Sequence, residues 1–413
     1  MAPAGGGTTV ELRVQGRVNA YPSIASAGSL VAVAWGASAS GGTTEIYAAL
    51  SRDNGRTFAR AVRVSDRSSP ARLAGEQPPR IVLVPQTSRE PSIVVVWTGK
   101  ADAGTRLLSA RSDDGGRTFS AAALVPGSDA AGNRGWESAA ADGTGGVAAL
   151  WLDHRELAQA AGAAHAHSEH QHAPLDTSVD GAVRAQSSKL LFARLGDTAS
   201  TRTITGGVCY CCKTTMAVDA DGRIYAAWRH VFAGNIRDIA FTLSADGGRT
   251  FAPPVRVSED RWVLEGCPEN GPALAVDGQH RVHVVWPTLL PSSADSSEPT
   301  LALFYAISSD HQVFTARQRI PTEGVPRHPW IARGSRDELT VVWDEGGSGT
   351  RRIALARGSI DAKGDVRFVR QPLGEAFSGT YPVVAASSDG ATVAWTSGPA
   401  GRTVIRVAKI PKE

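Results

Sequence analysis

Short apolar runs that end in tryptophan recur along the whole chain: Leu30–Trp35, Ile93–Trp97, Val147–Trp151, Ile224–Trp228, Val282–Trp286, Leu339–Trp343 and Ala391–Trp395. The seven copies lie about fifty to eighty residues apart, the spacing of a repeated supersecondary unit. Most follow a small-residue run and a turn, as in Ala217-Val218-Asp219-Ala220-Asp221-Gly222 and Ala275-Val276-Asp277-Gly278. Most precede an alternating run such as Ile46–Leu50, Leu107–Ala110, Ile239–Leu243, Leu303–Ile307 or Ile353–Ala356. Alternation of period two marks strands, and no long amphipathic helix pattern competes with it. Each unit therefore reads as about four antiparallel strands, and the whole as an all-β, seven-bladed propeller in one domain over residues 8–410. Six blades is the alternative, because the stretch 76–91 is irregular. After Trp395 only Val404–Ala408 remains, so the N-terminal run Val10–Val14 is expected to supply the missing outer strand and close the ring. The repeat tryptophans end buried-type strands at a fixed register, which suits blade core better than a carbohydrate platform.

Three turns between these strands share one pattern, Ser-x-Asp-x-Gly-x-Thr-Phe: Ser51, Asp53, Gly55 and Phe58; Ser112, Asp114, Gly116 and Phe119; Ser244, Asp246, Gly248 and Phe251. Ser and Asp side chains close such a turn on nearby backbone N–H groups. Gly takes the positive φ, and Phe starts the next strand. A degenerate copy, Ser309-Asp310-His311-Gln312-Val313-Phe314, falls in the fifth unit. The pattern resembles the Asp-box of the sialidase-like, BNR-repeat propellers. The resemblance implies that each box joins the third and fourth strands of a blade, away from the catalytic face, with a structural role. Catalytic sialidases of that superfamily have six blades, so a count of seven is a departure from them.

A chain of 413 residues can bury an ample core. Its net charge of +3 is spread over interspersed basic and acidic residues, with no basic stripe for nucleic acid. No run is long and apolar enough for a membrane span. Met1–Gly7 reads as a mature or trimmed start. Proteins with the Asp-box are mostly secreted or periplasmic, and the resemblance implies the same location here.

Residues 154–188 interrupt the third unit as an inserted loop. With His154, the tract containing His165, His167, His170 and His172 holds five of the ten histidines. This is a metal-binding composition, and imidazole suits zinc, copper and nickel. An incidental, solvated loop is the plainer alternative.

The four cysteines are Cys209, Cys211, Cys212 and Cys267. Superposing Trp228 on Trp286 places Cys209 on Cys267, just before the innermost strands of adjacent blades, where residues gather at the mouth of the central channel. In an extended stretch Cys209 and Cys211 would share a face and Cys212 would point away. The same register brings Tyr21, Trp136, Lys213, His328 and Tyr381 to this rim, with Arg134, Glu137, Glu269 and Arg327 alongside. Thiolates with a histidine favour a soft ion, copper first and zinc as alternative. Structural disulfides are the competing expectation, with Cys209 or Cys211 paired to Cys267. Inert thiols are the third.

Three functions follow: an extracytoplasmic propeller that binds a transition metal on Cys209, Cys211, Cys212, Cys267 and His328, for storage, delivery or metal-dependent chemistry; a sialidase-like glycoside hydrolase or glycan binder; and a scaffold for a partner protein. The resemblance asks, for hydrolysis, for three arginines around a carboxylate and a Tyr nucleophile with acid/base carboxylates. Arg80, Arg134, Glu269, Arg327 and Tyr381 are the candidates, with Asp153. The Phe/Tyr-Arg-Ile-Pro signature of that family is approached only by Pro79-Arg80-Ile81-Val82. His280 and His283 are expected on a sheet surface.

Overall fold

The computed structural model describes residues 9–412 apart from 67–68, 88, 158–180, 265, 292–298, 335–337, 347–349, 361–364 and 388. Among the described residues the strands form seven four-stranded antiparallel sheets. Six are sequential meanders. The seventh takes its outer strand from the N-terminus: Thr9–Leu12 pairs with Val404–Pro411 in the register Thr9↔Ala408 to Leu12↔Ile405. This closes the seven-bladed ring with the first strand of the chain, as the sequence implied.

Each repeat tryptophan sits on the second strand of its blade with no solvent exposure. Each anchors one apolar cluster shared between two consecutive blades: Trp97 joins blades 1 and 2, Trp151 blades 2 and 3, Trp228 blades 3 and 4, and so on to Trp35, which joins blades 7 and 1. Six of the seven indole N–H groups are satisfied, for example by Asn19 Oδ1 (2.9 Å) for Trp35 and Glu345 Oε2 (2.9 Å) for Trp343. A large apolar ring with one hydrogen-bonded corner suits an interblade wedge.

The Ser/Asp turns all join third to fourth strands. In the second blade the Gly116 amide donates to Ser112 Oγ (2.9 Å) and the Thr118 amide to Asp114 Oδ1 (3.0 Å). Hydrogen bonds from Thr118 and Ser112 hold Asp114 well below the usual carboxylate range. Phe58, Phe119 and Phe251 pack under their turns onto interblade clusters. The degenerate turn uses Ser308 rather than Ser309: Ser308 Oγ bonds Asp310 Oδ1 at 3.2 Å.

The innermost strands differ among blades. In blades 1, 3, 6 and 7 they run eight to ten residues (Val18–Ala27, Arg134–Ala141, Val325–Arg333, Thr380–Ser387). Each shifts register at one site, between Ala20 and Ser23, Gly135 and Ser138, Arg327 and Trp330, and Thr380 and Val383. In blades 4 and 5 they shrink to four residues, Thr215–Val218 and Ala273–Val276. The chain saved there forms the two loops that carry the cysteines.

Candidate functional site: a thiol cluster behind the channel mouth

The stretch from Gly206 to Cys212 cannot continue a strand. Gly207 takes φ +70°, its ideal Cβ position lying 3.1 Å from the His230 ring, and residues 210–212 turn. The turn gathers all three sulfurs: Cys209–Cys212 3.7 Å, Cys209–Cys211 3.9 Å and Cys211–Cys212 4.0 Å. The expectation that Cys212 would face away from Cys209 and Cys211 is thus corrected, because it assumed an extended backbone. Cys211 is bonded to Cys267 across blades 4 and 5, with Cα atoms 6.1 Å apart. Cys209 and Cys212 are free and buried. With Ala185 and Val231 they form an eighth apolar cluster, unlike the seven tryptophan wedges, and the half-buried Cys267 packs at its edge.

Two guanidinium groups are buried beside the sulfurs. Arg237 Nη1 donates to Cys209 Sγ at 3.1 Å, and its other nitrogens bond Leu264 O and Asn235 Oδ1. Arg229 donates only to the carbonyls of Arg237, Asn270 and Pro287, and lies 4.8 Å from the Trp262 ring centre. Both are at most 1% exposed, and no ion pair to a carboxylate is formed by either among the described residues. Buried positive charge this close to a sulfur favours the thiolate over the thiol. The Cys212 hydrogen bond, followed by the charges of Arg237 and Arg229, lowers the Cys209 thiol to about 6 against the upward push of burial. Burial, and then its own hydrogen bond to Cys209, holds Cys212 well above its usual value, as the thiol partner.

The channel mouth is a separate place. A cavity there is lined by Tyr21, Glu76, Lys213, His328, Trp330 and Tyr381, without a cysteine. Lys213 forms the wall between them. Glu76 reaches across from blade 2 and accepts the amides of Lys213 (3.0 Å) and Gly271 (2.6 Å), while Lys213 Nζ donates to Gly271 O (3.0 Å). Around the axis Tyr21, Trp136, His328 and Tyr381 occupy equivalent positions at the register shifts, with φ between +51° and +60°. Four non-glycine residues in the left-handed region, each costing about 1 kcal/mol or more, mark a built rim. Room for Tyr381 comes from Gly75, whose ideal Cβ would lie 1.9 Å from the ring. His328 Nδ1 bonds Asp344 Oδ1 (2.8 Å), and its ring lies 4.2 Å from that of Tyr381. Burial, then electrostatic repulsion from Tyr21 and Asp344, raises the Tyr381 phenol far above its usual value.

His328 serves the axial rim and is not among the groups whose ligand atoms cluster with the sulfurs; that set is Cys209, Cys211 and Cys212. His165, His167, His170 and His172 lie outside the described residues. The chain returns from that insertion through a short helix, Gly181–Gln186, whose Ala182 and Ala185 pack on the sulfur cluster. His154 is buried, its Nδ1 2.6 Å from Ser188 Oγ, and desolvation lowers it to about 4. The arginines do not gather as a carboxylate clamp. Arg134 is engaged by Asp153 (3.3 Å) and backbone carbonyls, and Arg80 by Glu137 O and the Trp330 face, whereas Arg327 is exposed. Asp153 is buried between Arg134, Arg155 and the Trp151 indole. Glu269 is exposed near Tyr21. His283 corrects the surface expectation: it is fully buried between Tyr305 Oη (2.8 Å) and Asp277 Oδ2 (3.2 Å), because its strand is covered on both faces. Sequence reasoning missed Glu76, Arg229, Arg237 and Asp344. The rim, which the repeat register placed, is marked a second time by the dipeptides Tyr21-Pro22, His328-Pro329 and Tyr381-Pro382.

No protein-family model and no curated protein matches the sequence. Among solved structures the chain is similar to an ulvan lyase, a polysaccharide lyase solved with a glycan bound (10% identity, 98% of this chain and 95% of that one, TM-score 0.53). It is also similar to an α-L-arabinanase from Penicillium chrysogenum complexed with arabinobiose (12%, 97% and 98%, 0.51). A protein of unknown function from Dyadobacter fermentans matches over similar lengths (14%, 97% and 98%, 0.50). At these identities the likeness establishes the propeller fold. No helix among the described residues is long and apolar enough to cross a membrane.

Proposed function

We propose that this protein binds a soft transition metal, copper(I) first, on the buried sulfurs of Cys209, Cys211 and Cys212, with Cys267 as a fourth donor once its bond to Cys211 is reduced. One observation carries the reading. The point equidistant from the three sulfurs lies about 2.2 Å from each, taking their mean separation over √3, and a metal–thiolate bond is about 2.3 Å. Thiolate donors select copper(I) or zinc over hard cations. The metal–thiolate group would carry negative charge, and Arg229 and Arg237 stand ready to balance it. A disulfide sulfur is not a thiolate, so loading follows reduction of Cys211–Cys267. The disulfide itself suits a periplasmic or secreted protein, and storage or delivery of the ion fits a site closed to bulk water. The test is elemental analysis with a thiol count on untagged, reduced protein titrated anaerobically with copper(I). One tightly held ion per chain, absent from Cys209→Ser and Cys212→Ser, is the expected result. No retained ion, or equal retention in the variants, refutes the reading.

A second reading, glycan cleavage or binding at the channel mouth, is favoured by the His328–Asp344 pair in contact with Tyr381 on a strained rim. The ulvan lyase and the arabinanase named above act on glycans, which adds to it. A screen of sialosides, arabinans and uronate polymers tests it: turnover in the wild type that Tyr381→Phe removes is expected, and no turnover or binding of any of them counts against it.

A further inference from the structure

The cluster holds a nucleophile beside an electrophile. Cys209 Sγ, held by the Arg237 guanidinium at 3.1 Å, lies 3.9 Å from Cys211 Sγ, which is bonded to Cys267. Cys212 Sγ lies 3.7 Å from Cys209 and is the second buried thiol. Cys267 differs from the others: it is half-buried, at the cluster's edge, on the loop between Leu264 and Glu269. The four sulfurs thus comprise one disulfide, whose Cys267 end lies toward solvent, one attacking sulfur beside a guanidinium and one further buried thiol.

We propose that the cluster is a thiol–disulfide exchange site, in which the bridge migrates from Cys211–Cys267 to Cys209–Cys211 and delivers Cys267 as a reactive thiolate at the protein surface. The thiolate sulfur of Cys209 attacks Cys211 Sγ; the Cys209–Cys211 bond forms as the Cys211–Cys267 bond breaks, and the electron pair leaves on Cys267. The reaction is an isomerisation. One disulfide is consumed and one made, the negative charge passes from Cys209 to Cys267, and no outside oxidant or reductant is needed. Exchange of this kind depends on the charge of the attacking sulfur, on which sulfur it reaches, and on access to the leaving thiol. Arg237 provides the first and the turn at 209–212 the second. In the exchanged form Cys267 faces an external thiol or disulfide while Cys209, Cys211 and Cys212 stay enclosed, so electrons enter and leave the cluster through one residue. This activity involves the same cysteines as the proposed metal site but does not require the metal.

The experiment uses oxidised, metal-stripped protein, alkylated with N-ethylmaleimide under native conditions, then digested without reduction and mapped by mass spectrometry. Expected is a growing population with Cys267 alkylated and a Cys209–Cys211 bridge. Cys209→Ser should abolish Cys267 alkylation, Cys212→Ser should retain it, and Arg237→Met should slow it about tenfold or more. A near-ultraviolet circular dichroism spectrum identifies any variant that fails to fold, in which case the wild type and Arg237→Met carry the test. The proposal is overturned if the wild type is alkylated only on Cys209 and Cys212 with Cys211–Cys267 intact, or if Cys267 reacts equally fast with and without Cys209. Copper binding without exchange sinks this inference alone; exchange without copper binding sinks the metal reading alone.

Discussion

The sulfur cluster and the axial rim lie on either side of Lys213, yet they are built by opposite means. At the rim, blades 1, 3, 6 and 7 keep long inner strands and absorb one extra residue each, so that Tyr21, Trp136, His328 and Tyr381 project from a left-handed backbone. Symmetry is preserved and side chains are varied. At the cluster, blades 4 and 5 abandon the upper part of the inner strand, and irregular loops bring four cysteines and two buried arginines together. The rim modifies the repeat, whereas the cluster breaks it. Backbone that no longer serves the sheet needs other support, here a disulfide, buried charge and the Glu76 carboxylate.

That contrast predicts unequal sensitivity. Cys267→Ser opens a 56-residue separation closed by the disulfide, which the chain-entropy treatment values at about 4 kcal/mol. Tyr381→Phe, at the rim, should cost under about 1 kcal/mol. Urea unfolding of the two variants measures the difference, and equal losses would erase the distinction. Next in size is the metal. Even outer-shell partners are worth about 10–100-fold in affinity, so Cys212→Ser should weaken copper(I) on the order of a hundredfold or more in a chelator competition. His328→Ala should leave it within about twofold, since His328 lies apart from the sulfurs.

A third prediction concerns Glu137, buried on the inner strand next to Trp136. Burial raises the Glu137 carboxyl to about 7, against roughly 4.3 for an unfolded chain. The folded state therefore binds the proton more tightly than the unfolded state. Its contribution to stability is fully present below about pH 4 and is lost as pH rises toward 7, by on the order of 1 kcal/mol per pH unit. Glu137→Gln should flatten that slope in thermal melts taken across this window, whereas Cys209→Ser should not. A slope unchanged by Glu137→Gln would show that another group controls it. The most local effect is expected far from both regions. Ser112→Ala removes the acceptor of the Gly116 amide and should cost about 1 kcal/mol, with copper binding and alkylation pattern unaltered.

The blade count, the closing strand and the third-to-fourth-strand turns were legible because each is a local signal repeated along the chain. Trp35 through Trp395 mark one strand per blade, and Ser112, Asp114 and Gly116 close their turn within five residues. The cysteines were legible as a group, and their approximate place beside the inner strands followed from the register. Their relative orientation was not, because a turn at 209–212 replaced the extended stretch on which an alternation argument depends. Nor was the separation of His328 from the sulfurs legible, since the same register position projects to the axis in one blade and leads away from it in another.

By itself, then, the sequence determined the architecture, through periodic hydrophobicity and short-range turn chemistry that need no distant partner. Only the tertiary structure decided the site. Glu76 meets Lys213 and Gly271 across 137 and 195 residues, Arg237 reaches Cys209 across 28, and Cys211 finds Cys267 across 56. Those contacts depend on ring closure and on how two neighbouring blades depart from their repeat, and no periodicity in the chain encodes a departure from itself.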